Sequence, residues 1–127
     1  MALNPAILER LGQLSRAAGR SQNEIAVAAL HAGLPSSSEL ARDAIVAEQR
    51  ARVGALDRRV RQTLRLPDDL RARLDEWSTP SREDLARSAR SDLINAALER
   101  GLPDEPFAAL DLVNEHARRL LDARAAA

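Results

Sequence analysis

The stretch Ala28-Ala29-Leu30-His31-Ala32-Gly33-Leu34-Pro35 returns 68 residues later as Ala96-Ala97-Leu98-Glu99-Arg100-Gly101-Leu102-Pro103. Upstream, the spacing of Ile7, Leu11 and Leu14 recurs as Leu70, Leu74 and Trp77, now at an offset of 63. The difference is a five-residue insertion, Thr79 to Glu83, in the second copy. Such a shared pattern reads as internal duplication of one helical pair. With 127 residues, the chain has room for one small domain or two very small ones.

Each copy reads as helix, turn, helix. Leu70, Leu74 and Trp77 form one apolar stripe after Pro67, and Leu93, Ile94, Ala97 and Leu98 form a second that Gly101 ends before Pro103. Between them, Thr79 before Pro80 and Ser81 three before Asp84 are cap signals, so a short extra helical turn is expected there. Only 2% of the residues are aromatic while 45% are hydrophobic, so the core must be built from Leu, Ile, Val and Ala. Abundant alanine favours helix.

One segment breaks the helical pattern. In Arg61-Gln62-Thr63-Leu64-Arg65-Leu66 polar and apolar residues alternate, which puts Arg61, Thr63 and Arg65 on one face of a strand and Gln62, Leu64 and Leu66 on the other. The 19 basic residues, all arginine, balance 19 acids overall. Locally they do not: Arg50, Arg52, Arg58, Arg59, Arg61, Arg65, Arg71 and Arg73 face only Asp57, Asp68 and Asp69 across that stretch. The positive field is centred on the strand, which is either a solvated surface or an anion-binding one.

Strand, proline, helix, turn, helix of this size resembles the ribbon-helix-helix family of DNA-binding proteins, the Arc and MetJ type. Residues 59–102 carry the resemblance, in RQTLRLP, DDLRARLDEW and RSDLINAALERGL; residues 5–34, with GRSQNEI, resemble the helix-helix part alone. The second copy departs from the family in its longer inter-helix segment, and the first lacks the ribbon. The resemblance implies a mainly helical fold with one short strand per chain, at about 60–66, pairing with its counterpart in a homodimer and entering the major groove as a two-stranded ribbon. Arg61, Thr63 and Arg65 would then be the base readers, since arginine offers a bidentate pair to guanine and threonine a hydroxyl or a methyl. Leu64, Leu66, Leu70, Leu74, Trp77, Leu93, Ile94, Ala97 and Leu98 would form the dimer core. A helix start near Ala89, Arg90 and Ser91 would offer free N–H groups to a phosphate, with Arg59 and Arg87 adding charge.

The remaining segments frame this unit. Residues 1–35 are the degenerate first copy, expected to pack as a second helical pair or to offer a partner surface. Alternatively, Met1-Ala2-Leu3 adds the last residues of a strand and makes a single-chain pseudo-dimer. Residues 36–58 read as a linker helix with Ser36 and Glu39 as a capping box, a small-residue stripe at Ala44, Ala47 and Ala51, and Gly54 weakening its end. Residues 103–127 read as one more helix, with Phe107, Leu110, Val113, Ala117 and Leu120 or Leu121 along one side. It either covers the core or binds a protein partner, as when a small ribbon-helix-helix antitoxin grips its toxin; Phe107, Leu110, Val113 and Leu120 are the partner-facing candidates.

Catalysis finds no constellation to support it. His31 and His116 lack metal-type spacing, there is no Gly-rich phosphate loop, and the absence of cysteine excludes disulfides and thiolate metal sites. No metal or cofactor is expected. Nothing resembles a signal peptide or a spanning segment, so a soluble cytoplasmic protein without membrane contact is expected. The expected function is a transcriptional repressor on double-stranded DNA, a homodimer able to assemble further on DNA. The alternatives are an autoregulating antitoxin, a plasmid relaxosome or partition accessory, and a helical adaptor that binds no DNA.

Overall fold

A computed structural model describes residues 1–52, 58–78 and 83–126, the side chains of 83–88 excepted. Two very short strands and six helices follow in the order β1 (Ala2–Leu3), α1 (Pro5–Ala18), α2 (Gln22–Gly33), α3 (Ser38–Arg52), β2 (Val60–Arg61), α4 (Asp68–Trp77), α5 (Glu83–Gly101) and α6 (Pro106–Ala126). No helix among the described residues is long and apolar enough to cross a membrane.

Local chemistry sets the helix ends. Pro5 opens α1, where its missing N–H costs nothing, and Gly19 closes it in the left-handed region at φ 68°, its N–H donating to the Ser15 carbonyl at 3.1 Å. Ser21 then starts α2 with a reciprocal capping box: its hydroxyl accepts from the Glu24 N–H at 3.1 Å, while the Glu24 carboxylate faces the Ser21 N–H. The cap of α3 is Ser37, one residue beyond the expected Ser36, because it is the Ser37 hydroxyl that accepts the Leu40 N–H at 3.2 Å. Along α3 the inward stripe is Ala41 and Ile45, whereas Ala47 and Ala51 are exposed and Ala44 is half-buried. Gly54 and the cap signals at Thr79 to Ser81 lie outside the described residues.

The repeated helices pack on each other. At the α2–α5 crossing a Cβ on Gly33 would stand 1.9 Å from the Ala97 carbonyl oxygen, and one on Gly101 would stand 2.0 Å from that of Ala29. The two contacts exchange under the 68-residue repeat, as they must where a pseudo-two-fold axis passes through the crossing. The glycine of each copy thus admits the backbone of the other. Around it one hydrophobic cluster draws on both copies: Ile7, Leu11, Ile25 and Leu30 from the first, Leu70, Leu74, Leu93 and Leu98 from the second. Helix α3 covers α5, and α6 lies on α1 and α2 through Ala109 and Val113.

The pairing of the strands differs from the expectation of a dimer ribbon. β2 pairs antiparallel with β1 of the same chain, Ala2 opposite Arg61 and Leu3 opposite Val60, and the Gln62 N–H donates to the Met1 carbonyl at 2.7 Å. Once α2 and α5 lock across the pseudo-axis, the N-terminus and residues 60–62 meet side by side. The residues assigned on sequence to a dimer core accordingly fill the core of a single chain. Leu66, Leu70, Leu74, Leu93, Ile94, Ala97 and Leu98 are buried, while Leu64 and Trp77 are half-buried.

Candidate nucleic-acid interface

The alternation of residues 61–66 persists although only Val60 and Arg61 are paired as a strand. Arg61, Thr63 and Arg65 are exposed, Gln62 and Leu64 are half-buried, and Leu66 is buried. The segment past the ladder is held by a side chain: the Asn23 amide donates to the Arg65 carbonyl at 3.0 Å and accepts the Arg65 N–H at 2.7 Å. An asparagine amide so placed substitutes for a neighbouring peptide group. On the other strand, Asn95 acts similarly, donating to the Ala2 carbonyl at 2.9 Å and accepting the Asn4 N–H at 2.7 Å. Each copy's second helix therefore clips the strand of the other copy. Arg61 and Arg65 have no ion-pair partner among the described residues, so their positive charge is presented to solvent.

Beneath this surface lies a buried polar network that sequence reasoning missed. Arg59 reaches inward rather than toward a phosphate, and its side chain is only 7% exposed. Its Nη2 donates to Asp92 Oδ1 at 2.6 Å and to Glu48 Oε1 at 3.2 Å, and its Nε donates to Asn4 Oδ1 at 3.0 Å. Gln49 donates to the other Asp92 oxygen at 3.0 Å, and the Asn4 amide donates to Glu48 at 2.9 Å. The β1–α1 junction, α3 and α5 thus meet on the guanidinium of the residue that leads into β2. The one signal in the sequence was that Asp92 and Asn95, three apart, interrupt an apolar face of α5; polar pairs at helical spacing also occur on surfaces.

The other expected phosphate contacts fare differently. Helix α5 starts at Glu83, so Ala89, Arg90 and Ser91 sit inside it and their N–H groups face the preceding turn rather than a ligand. From Glu83 to Gly101 the chain is one continuous helix, so no new helix begins at residues 89–91, and the expected short turn around 79–82 lies outside the described residues. Ala89 is buried, Ser91 is half-buried, and Arg90 pairs with Asp75 at 3.3 Å. The side chain of Arg87 lies outside the described residues. On α6, Val113 is buried and Leu110 half-buried, whereas Phe107 is 78% exposed and Leu120 and Leu121 are also exposed.

The two histidines, far apart in sequence, stack where α2 meets α6, with ring centroids 4.5 Å apart and planes at 27°. Burial lowers both pKa values from the ordinary 6.5. For His31 the proximity of His116 and Arg73 adds to this against Asp69, and for His116 Asp69 opposes and Arg119 adds. The buried Nε2 of His31 has no hydrogen-bond partner. The unfolded chain, with ordinary histidines, takes up protons more readily than the folded one. The stabilising contribution is therefore complete above the ordinary pKa and is lost as pH falls below 6.5 through the lowered folded values. Melting temperature is expected to fall between about pH 7.5 and 5.5, and His31→Gln to flatten that fall. Equal pH dependence in the variant would remove the pair as its cause.

Comparison with known proteins finds no family model, no curated protein and no solved structure that matches the chain.

Proposed function

We propose that the chain is a sequence-specific DNA-binding repressor of ribbon-helix-helix type in which one chain supplies both helical pairs and both strands. The observation that carries this reading is the outward row Arg61, Thr63 and Arg65, unpaired with acids among the described residues, on a segment whose opposite side is turned to the helices. A two-stranded ribbon fits the major groove, and these side chains have the donors to read base edges there. The paired residue opposite Arg61 is Ala2, which carries no such donor. The reading face is thus weighted to one strand, and the DNA site of a single chain is asymmetric. Occupancy near a promoter would exclude polymerase without any chemical step.

Fluorescence anisotropy with DNA from immediately upstream of the gene, beside a scrambled duplex, tests the reading. Each bidentate arginine–guanine pair contributes about 1–3 kcal/mol of discrimination, so Arg61→Ala with Arg65→Ala should cost the specific duplex roughly a hundredfold or more in affinity. Circular dichroism should not change, because both side chains are exposed. Equal affinity for the two duplexes, in a chain unaffected by the double substitution, would sink the proposal.

A second reading is favoured by Phe107, exposed on α6 with Leu120 and Leu121. In it α6 also grips a small protein, as an antitoxin would. A partner that co-purifies with the chain and is lost with Phe107→Asp while DNA binding persists supports this addition.

A further inference from the structure

Beside the ribbon, where residues 61–66 run past α4 and α5, lies a cleft of about 720 Å³. Three guanidinium groups from three different elements line it, Arg61 on β2, Arg71 on α4 and Arg90 on α5, and among the described residues no carboxylate does. Thr63 and Ser91 add hydroxyl groups, and Leu64, Leu66 and Ile94 add apolar surface. Asp75, outside the lining, pairs with Arg90, and among the described residues the lining stays net positive through Arg61 and Arg71. The Nε of Arg90 stands 3.3 Å from Asp75 Oδ1, an ion pair outside hydrogen-bond geometry. Arg61 and Arg71, with no ion-pair partner among the described residues, repel one another until an anion joins them. The volume falls within the range of small-ligand sites.

We propose that this cleft binds a phosphorylated small molecule of nucleotide type, its dianionic head among Arg61, Arg71 and Arg90 and its flat body against Leu64, Leu66 and Ile94. Because Arg61 belongs to both the cleft and the outward row of the ribbon, the bound nucleotide competes with DNA. That regulatory consequence, though not the binding itself, rests on the DNA-binding function proposed above.

The phosphate chemistry is shared by a free nucleotide and by a backbone phosphate of DNA, so the first measurement omits DNA. Calorimetric titration of the full chain with AMP should give a Kd below about 1 mM, with inorganic phosphate weaker by roughly tenfold and adenosine silent. Arg71→Ala should weaken AMP by roughly fivefold or more through loss of a charge-assisted hydrogen bond. Arg71 is exposed, so this variant keeps the fold; Arg90→Ala is the companion, checked for folding by circular dichroism. Saturating AMP should also raise the Kd for specific DNA. Absence of AMP binding at several times that concentration, or undiminished binding by Arg71→Ala, overturns the proposal. If Arg71→Ala weakens DNA while AMP does not bind, the cleft serves the DNA backbone alone and the free nucleotide is overturned. If AMP binds as described but no DNA does, the cleft stands and the DNA-binding function falls.

Discussion

Gly33→Ala should destabilise this protein by about 3–5 kcal/mol, a large part of the 5–15 kcal/mol that holds a small domain together. An added Cβ at that position would meet the Ala97 carbonyl oxygen at 1.9 Å and the Gly101 amide nitrogen at 2.8 Å, and these are backbone atoms that cannot rotate away. The helices α2 and α5 would have to part, loosening Ala29, Leu30, Ala97 and Leu98 together. Gly101→Ala should cost a similar amount, since its Cβ would meet the Ala29 oxygen at 2.0 Å. In the double variant the losses should be markedly less than additive, because one separation of the crossing accommodates both methyl groups. Gly12→Ala is the control. Its added methyl would meet only the flexible ends of Arg16 and Gln22, at 3.4 and 3.8 Å, so helix propensity should leave it neutral or up to about 1 kcal/mol more stable. Urea unfolding of the four variants beside the parent chain reads all these values. If Gly33→Ala behaves like Gly12→Ala, the close crossing is not there.

The second large effect is expected at Arg59. Arg59→Met should cost about 3–5 kcal/mol, because it strands Asp92, whose side chain is 2% exposed, and Glu48, at 13%. Adding Asp92→Asn and Glu48→Gln to the same chain should recover much of the loss, since the uncompensated charge rather than the missing packing dominates. A contribution of Arg59 to DNA binding through a phosphate contact predicts a different outcome: stability unchanged, and a salt dependence of DNA affinity lowered by about one unit. Urea unfolding and a salt titration therefore separate an arginine that holds the scaffold from one that holds the ligand. The network also fixes β2 between α3 and α5, so partial unfolding of the variant should loosen the ribbon first.

These two sites mark how far sequence carries. Helical stripes such as Ile7, Leu11 and Leu14, or Leu70 and Leu74, were legible because amphipathic periodicity is local, and these five positions are buried. The outward set Arg61, Thr63 and Arg65 was legible for the same reason, since alternation needs only an extended backbone. The repeated Gly-Leu-Pro was visible too, but it was read as a helix end. That its glycine is also the point where two backbones cross depends on residues 68 positions away.

What only the tertiary structure decided is who meets whom. Arg59 and Arg61 are two residues apart in the same basic stretch, yet one is buried on Asp92 and Glu48 while the other faces solvent. The sequence could not separate them, because a guanidinium fits a carboxylate and a phosphate with the same bidentate geometry. The partner of β2 was likewise undetermined: an isolated strand offers its edge to any other strand, and here the closeness of α2 and α5 at Gly33 and Gly101 brings Ala2 and Leu3 of the same chain alongside. By itself, then, the sequence determined the mainly helical character, the inner stripes of α1 and α4 and the repeat, all written in short-range spacing, but not where α5 begins, how short the strand is or which sides of α3 and α6 turn inward. The pairing of β1 with β2 within one chain, the buried arginine network and the stacked histidines were decided in three dimensions, because hydrogen bonds and ion pairs form between whichever groups long-range packing brings together.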